Sequence, residues 1–423
     1  LSRFFPVHIL IAGIGGFAEA HHRACWTLEN EGIARVVASC DPAVKSLGDL
    51  CTDLRLADRG VQVHRSFAGM LESAGTSSQL GIIASPIHTH ALIHHAFVQR
   101  GIPCYMEKPP TLDPMELHLM IERDASADIP TNVGFAHINS PAYLALKQRI
   151  VDGEFGPLRQ ATLLGMAPRA RAYFKRNDWA GRLFLNENLV LDSCLGNAMS
   201  HFLNSSLFFA GTGNLHQRAR PVSMEAELYR ANSIEGTDTI FAATRLDNGA
   251  ELRIAATHAS EPGRTVLEQR MEFERASVSI TSSNKLHIAH HDGRSEIAPL
   301  ATGLLREALL DQITVLSDPS KKRVPQSLQD SVAFVETHAL FYMAAHQIHS
   351  ISIDRLDRQD DSIVLPDFES VARKFLSSGD FPSRQKLRWA SPGGFAPVES
   401  IANLRSMANL MRTKLEPKIL LHP

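Results

Sequence analysis

The stretch "VHILIAGIGGFAEAHHR", residues 7–23, decides the fold. A short apolar run meets a cluster of glycines, and the chain then turns amphipathic. Gly13, Gly15 and Ala18 fit the pattern G-x-G-x-x-G/A directly after a strand and directly before a helix. The first glycine makes the tight turn, and the second lets a pyrophosphate approach the backbone. The small third residue lets helix and strand pack closely, with Gly16 and Phe17 completing the turn. A helix N-terminus at this point offers N–H groups and partial positive charge to phosphates. Farther on, "VVASCDP" sets Asp41 at the end of a second strand, where a carboxylate accepts hydrogen bonds from an adenosine ribose. The same carboxylate repels the extra phosphate of NADP. Pro42 and Ala43 offer no phosphate clamp, although Lys45 is near in sequence, so NAD is the cofactor expected over NADP.

The rhythm set by that stretch continues. "ARVVASC", "VQVHRS", "LGIIAS" and "IPCYME" read as buried strands, and amphipathic segments separate them. Alternation of this kind builds a parallel sheet covered on both faces. "TNVGFA" completes it, so a Rossmann domain is predicted over residues 1–136. After that the pattern changes. A helix over 143–152, a strand over 158–164, a polar and aromatic loop and a helix over about 197–210 precede long alternating runs such as "VSMEAELYR" and "AELRIAATHA". These read as antiparallel strands with one face solvated. Two helices, over 303–316 and 328–349, follow. Residues 137–423 are therefore expected to form an α+β domain on a large, mostly antiparallel open sheet, for substrate binding and oligomerisation. From about residue 352 the pattern assigns no role.

Length and composition bound the rest. A chain of 423 residues exceeds one ordinary core, so two domains are expected. A charged fraction of 21% and net charge of −2, with no basic block, give no electrostatic case for nucleic acid or an anionic membrane as partner. The five cysteines are odd in number, scattered and without a CxxC pair, which fits reduced thiols in a cytoplasmic protein. No run approaches a membrane span. His21, His22, His88, His94, His95, His290 and His291 form no i, i+4 pair with a carboxylate base, so no metal site is expected.

"YMEKPPTLDP" follows the fifth strand and places Glu107 and Lys108 at the carboxyl end of the sheet, where open α/β folds bind ligands. "ASPIHTH", with Ser85, Pro86 and His90, ends the neighbouring strand. In this order the glycine turn, "ASPIHTH" and "EKP" resemble the glucose–fructose oxidoreductase, inositol dehydrogenase and rhizopine-catabolism (Gfo/Idh/MocA) family. "NVGFAHINSPAYLALKQRIVDGEFGPLRQATLL" is similar to that family's passage into its second domain. The resemblance implies a Rossmann domain followed by a domain on an open antiparallel sheet, with a sugar or cyclitol lying between sheet and nicotinamide. It implies that Lys108 bonds the reacting hydroxyl and helps shift its proton. It also implies that Ser85, Pro86, His90, Glu107 and Lys108 help hold the cofactor, and that His137 faces the substrate.

In that family a D-x-x-x-H-x-x-D pattern opens a helix facing the nicotinamide. The matching stretch here is "NAMSHFLNSSLFFAG", with His201 at the histidine and Asn197 and Asn204 where carboxylates are expected. On a continuous α-helix 197, 201 and 204 share one face. Histidine has a suitable pKa to take the proton released by alcohol oxidation. Asparagine cannot hold an imidazolium by charge, so Asp192 is the candidate replacement carboxylate, with a helix-proximal cap as its other reading. The loop "AYFKRNDWAGRLF" gathers Lys175, Arg176, Trp179 and Arg182. It suits either a substrate's hydroxyls and carboxylate or a subunit contact.

The expected function is hydride transfer between NAD and a carbinol carbon of a sugar, sugar acid or polyol, with an acidic or highly oxygenated sugar preferred. Two alternatives stand beside it: NAD-dependent glycoside hydrolysis or elimination through transient oxidation, and a non-catalytic dinucleotide-sensing regulator. A homo-oligomer, dimer or tetramer, is expected because the alternating strands carry an apolar face that needs cover.

Overall fold

The computed structural model describes residues 6–74, 78–283, 285–301, 304–318 and 323–414. The chain divides into two compact units, one of residues 1–111, 115–140 and 303–331, the other of 112–114, 141–302 and 332–423. No helix among the described residues is long and apolar enough to cross a membrane.

In the first unit, β1 (Val7–Ala12), β2 (Ala34–Cys40), β3 (Gln62–His64), β4 (Leu80–Ile83), β5 (Cys104–Met106) and β6 (Asn132–Val133) pair in parallel in the order β3-β2-β1-β4-β5-β6. This is the doubly wound order, with its switch point between β1 and β4. The strands read as continuous apolar runs because both faces are covered. Ile9, Ile11, Val36 and Ile82 are fully or almost fully buried against helix Ala18–Asn30, among others.

One element of this unit was assigned by sequence to the other. Helix Leu305–Ser317 packs Ala308, Leu309 and Ile313 into the core that holds Val7, Trp26 and Leu28. The Rossmann unit is therefore discontinuous, and a single cut at 136 does not describe it. Sequence order could not show this, because the helix has an ordinary amphipathic pattern that names no partner.

The second unit holds β7 (Leu158–Met166), a hairpin of β8 (Phe184–Leu185) and β9 (Asn188–Leu189), then β10 (Pro221–Arg230), β11 (Thr239–Leu246), β12 (Glu251–Thr257) and β13 (Val266–Phe273). It continues through β14 (Ala276–Ile280), β15 (Lys285–His290), β16 (Ser295–Pro299), β17 (Ile348–Ser350), the β18 (Asp357–Gln359) and β19 (Ser362–Val364) hairpin, and β20 (Gly394–Pro397). Ten of these strands form one sheet, ordered β16-β15-β14-β13-β7-β12-β11-β10-β17, with β20 also on β10. Among the described strands of this sheet, only β7–β12 and β10–β17 pair in parallel.

The sheet's two faces differ. On one, Gln269 bonds Ser205 and Ser206 of helix Ser200–Ala210. On the other, Leu164, Met166, Phe241 and Ala255 are covered by Phe368, Val371 and Phe375 of helix Phe368–Ser378, with Phe381 and Trp389 beyond it. The segment left without a role thus supplies in-chain cover. The helix can do so because 368, 371, 372, 375 and 376 recur at helical spacing. The same face farther along is ionic, with Arg373 on Glu268 and Arg270 on Glu272.

Candidate functional site

In the first unit the glycine turn, Asp41, Ser85, Pro86 and Lys108 all stand at the carboxyl ends of the adjacent strands β2, β1, β4 and β5. Gly13 has φ +123, and a Cβ there would lie 2.8 Å from the Ala84 carbonyl and 3.0 Å from the Ala18 side chain. No other residue fits that turn. Ala18 is fully buried beneath it, while Gly16 and Phe17 are exposed. Asp41 Oδ2 accepts from the Ile14 and Gly15 amides at 3.0 and 3.1 Å, and Oδ1 accepts from Ala43 at 2.9 Å. The acid read as a ribose acceptor therefore also clamps the glycine turn.

The loop after β4 is braced from inside. Ser85 and Thr89 share a hydroxyl hydrogen bond at 2.7 Å. His90, 2% exposed, sets Nε2 2.9 Å from the Ser85 carbonyl and Nδ1 3.2 Å from the Pro110 carbonyl. Burial lowers its pKa, so the ring is neutral and donates to one of the two. His90 ties the two loops together.

Glu107 is buried and meets His21 Nε2 at 2.9 Å, while its other oxygen accepts the Lys108 amide at 3.2 Å. Burial raises its pKa, but the His21 bond, His21 charge and Lys108 outweigh that and leave it lowered. The ionised carboxylate fixes the backbone that carries the Lys108 side chain. His137 lies close enough for Lys108 to act on it: burial first, then the Lys108 charge, pulls it down to about 4. His21 was passed over in the sequence, which has no local sign that residue 21 meets residue 107.

In the second unit, Asn197 belongs to a single π-helical turn, Cys194–Ala198, capped by Ser193, whose Oγ accepts from the Gly196 amide at 2.8 Å and meets His338 Nε2 at 2.8 Å. The α-helix starts only at Ser200. The expected single face of 197, 201 and 204 requires continuous α pitch, and the wider turn breaks it. His201 is half-buried at the helix start, whereas Asn204 is buried, with neither amide atom hydrogen-bonded among the described residues. Asn204 is a core residue.

Asn197 instead joins the polar loop. Its Nδ2 donates to the Tyr173 hydroxyl at 3.3 Å, and it also bonds Asp192. Asp192 is 5% exposed and accepts the Gly181 amide at 2.7 Å. Burial pushes it up to about 6, against the pull of Gly181, Arg176 and Asn197. Arg176 stacks 3.5 Å above the Tyr173 ring and 5.3 Å from the Trp179 ring, and Arg169 lies 5.0 Å from Tyr173. His258, next to Tyr173, bonds the Ala167 carbonyl at 2.6 Å and is pulled down to about 3 by burial and the two guanidinium charges. Arg176, Trp179, Asp192 and Asn197 are thus brought together, and the sequence missed Arg169, Tyr173 and His258. Lys175 and Arg182 are exposed members of the same loop.

Elsewhere, Glu154, His290 and Glu296 converge closely enough to hold a cation. Arg149 bonds both carboxylates and already supplies the positive charge.

A doubly wound parallel unit with a glycine turn at its switch point, accompanied by a unit on a large open sheet, defines the class of fold. Residues 7–135 match the model of the GFO_IDH_MocA family, described as "Oxidoreductase family, NAD-binding Rossmann fold". No curated protein matches the sequence. Its fold is that of the WlbA dehydrogenase from Bordetella pertussis in complex with NADH and UDP-GlcNAcA, at TM-score 0.67 and 18% identity over 80% of this chain and 96% of that one. Levoglucosan dehydrogenase in complex with NADH and L-sorbose aligns at TM-score 0.67 and 14% identity, over 86% and 100% of the two chains. An oxidoreductase from Agrobacterium radiobacter, in complex with NAD+, L-tartaric acid and magnesium, aligns at 0.64 and 15%, over 93% and 99%.

Proposed function

We propose that the protein is an NAD-dependent oxidoreductase acting on a carbinol carbon of a sugar, sugar acid or polyol. The observation that carries this is the mounting of Lys108: a buried carboxylate, held by His21, anchors it at a strand end beside the glycine turn. The residues present fit a dinucleotide. Gly13 leaves no side chain in the turn, and Asp41 at the end of β2 retains acceptor capacity beyond its three amide bonds. The solved structures of like fold include several in complex with NADH or NAD+.

Bound NAD would supply the hydride acceptor. The chain's own part is proton and orientation chemistry. The Lys108 ammonium donates to the substrate hydroxyl and orients it. His201, a half-buried imidazole at a helix start, takes the hydroxyl proton, and His137 is kept neutral beside Lys108 so that it can accept as well as donate. Lys108→Ala is expected to lower kcat at least ~100-fold, within the range for losing a positioned proton-handling group. NADH binding, followed by its fluorescence, should stay within a few-fold. Full turnover in Lys108→Ala would sink the assignment. Asp41 favours NAD, so NADP is expected to bind at least tenfold more weakly, and tighter NADP binding would reverse that reading.

A further inference from the structure

The polar cluster of the second unit contains more positive charge than it neutralises. Arg169 and Arg176 flank one phenol ring, and Asp192, a carboxylate that feels the Arg176 charge, is buried and engaged by Gly181 and Asn197. Arg169 donates Nη1 to the Pro168 carbonyl at 3.0 Å and bonds the Tyr173 hydroxyl, but among the described residues its buried Nε has no hydrogen-bond partner, a condition that costs free energy unless an acceptor arrives. Tyr173 accepts from Asn197 and Arg169, which leaves its own O–H as a donor. Burial and Asp192 raise its pKa, so that proton is retained at neutral pH.

The loop that carries these groups is held in place. Asp361 accepts from Arg171 Nε and the Ala172 amide, each at 2.9 Å, and its carbonyl accepts the Arg171 amide at 2.8 Å. His258 underpins the phenol from the end of β12. Donors fixed in this way lose little freedom on binding an anion.

We infer that Arg169, Tyr173 and Arg176 form a receptor for a carboxylate group carried by the substrate. This deepens the proposed function and rests on it. It also moves the recognition of acid away from Arg182 and Lys175. Planar guanidinium forks match a carboxylate's two oxygens, and the phenol adds a third donor. A neutral sugar would leave the buried Arg169 Nε unpaired, so discrimination arises from the unmet donor as well as from the new bonds.

The test is direct binding to the full chain, saturated with NADH, by calorimetry with D-glucuronate, D-glucose and D-glucose 6-phosphate as probes. Glucuronate should bind at least ~10-fold tighter than glucose, and the difference should shrink with added salt. Arg169→Gln and Tyr173→Phe should each erase most of that difference with NADH affinity unchanged, Arg169→Lys should restore part of it, and Arg182→Gln should leave it intact. Equal binding of glucose and glucuronate, preference for the phosphate, or loss of discrimination in Arg182→Gln alone would overturn the receptor. Because binding is read without turnover, such a result leaves the hydride-transfer reading to its own Lys108 test.

Discussion

Asp41 holds the Ile14 and Gly15 amides together with that of Ala43, so one carboxylate fixes two loops. Asp41→Ala is expected to cost about 1–3 kcal/mol of stability through the unpaired amides, and NAD affinity should fall with it. Unchanged denaturation midpoint and NAD affinity would contradict this. Buried histidines carry a second prediction. His22 and His137 sit at about 4, and His258 and His338 at about 3, all lowered chiefly by burial. An unfolded histidine titrates near 6.5, so as pH falls below that value the unfolded chain takes up protons that the folded chain refuses. Stability is therefore lost between pH 6.5 and 4. Asp192, raised to about 6, works the other way, as do Asp238 and Glu227, both raised by burial, whereas His88, His90 and His349 are lowered by burial and add to the loss. Each uncompensated proton contributes up to about 1.4 kcal/mol per pH unit. The thermal midpoint should drop steadily from pH 7 to 5, and a flat or rising midpoint would exclude the account.

At the scale of elements, the C-terminal end of helix Ser200–Ala210 is closed by a residue from another helix. Lys147, fully buried, donates Nζ to the carbonyls of Phe208, Gly211 and Gln217. Burial and Arg218 pull its pKa down to about 7. Three acceptors nevertheless match the three donors of an ammonium. Lys147→Met keeps the volume and strands the carbonyls, and should destabilise the protein by about 2–3 kcal/mol in urea titration. A neutral result would mean that the carbonyls find other partners. The neighbouring π turn marks a limit of legibility. The glycine turn, the acid and "EKP" were readable because each depends on residues close in sequence. The shared face of Asn197, His201 and Asn204 was not, because helical pitch is set by the Ser193 cap and by His338, 145 residues away. Arg169 and His258 escaped for the same reason. They meet because β7 and β12 run side by side.

Across the whole molecule, the case for a partner copy on the sheet changes. It rested on an apolar face in need of cover, and helix Phe368–Ser378 with Phe381 and Trp389 covers that face from within the chain. Phe375, fully buried and 5.6 Å from Phe241 and 4.6 Å from Phe381, is central to it. Phe375→Ala is expected to cost about 3–5 kcal/mol and to raise binding of an apolar dye and self-association. If the variant stays as stable and as dispersed as the parent in light scattering, the cover is dispensable. The sequence reading assigns no role from about residue 352, and nothing in an amphipathic pattern would address this helix to β7 and β11.

The discontinuity of the Rossmann unit also sets an order of assembly. Its core lacks Ala308, Leu309 and Ile313 until residues 305–317 have been made, with residues 141–302 in between. A nascent chain leaving the ribosome must therefore carry its dinucleotide cradle half-finished through the synthesis of most of the second unit. Bringing that helix home means closing a long loop, which adds little free energy but slows the search. Chaperone demand should fall on this interval, with the face of helix Ala18–Asn30 that meets Leu305–Ser317 exposed. A fragment ending at residue 136 would remain in that unfinished state.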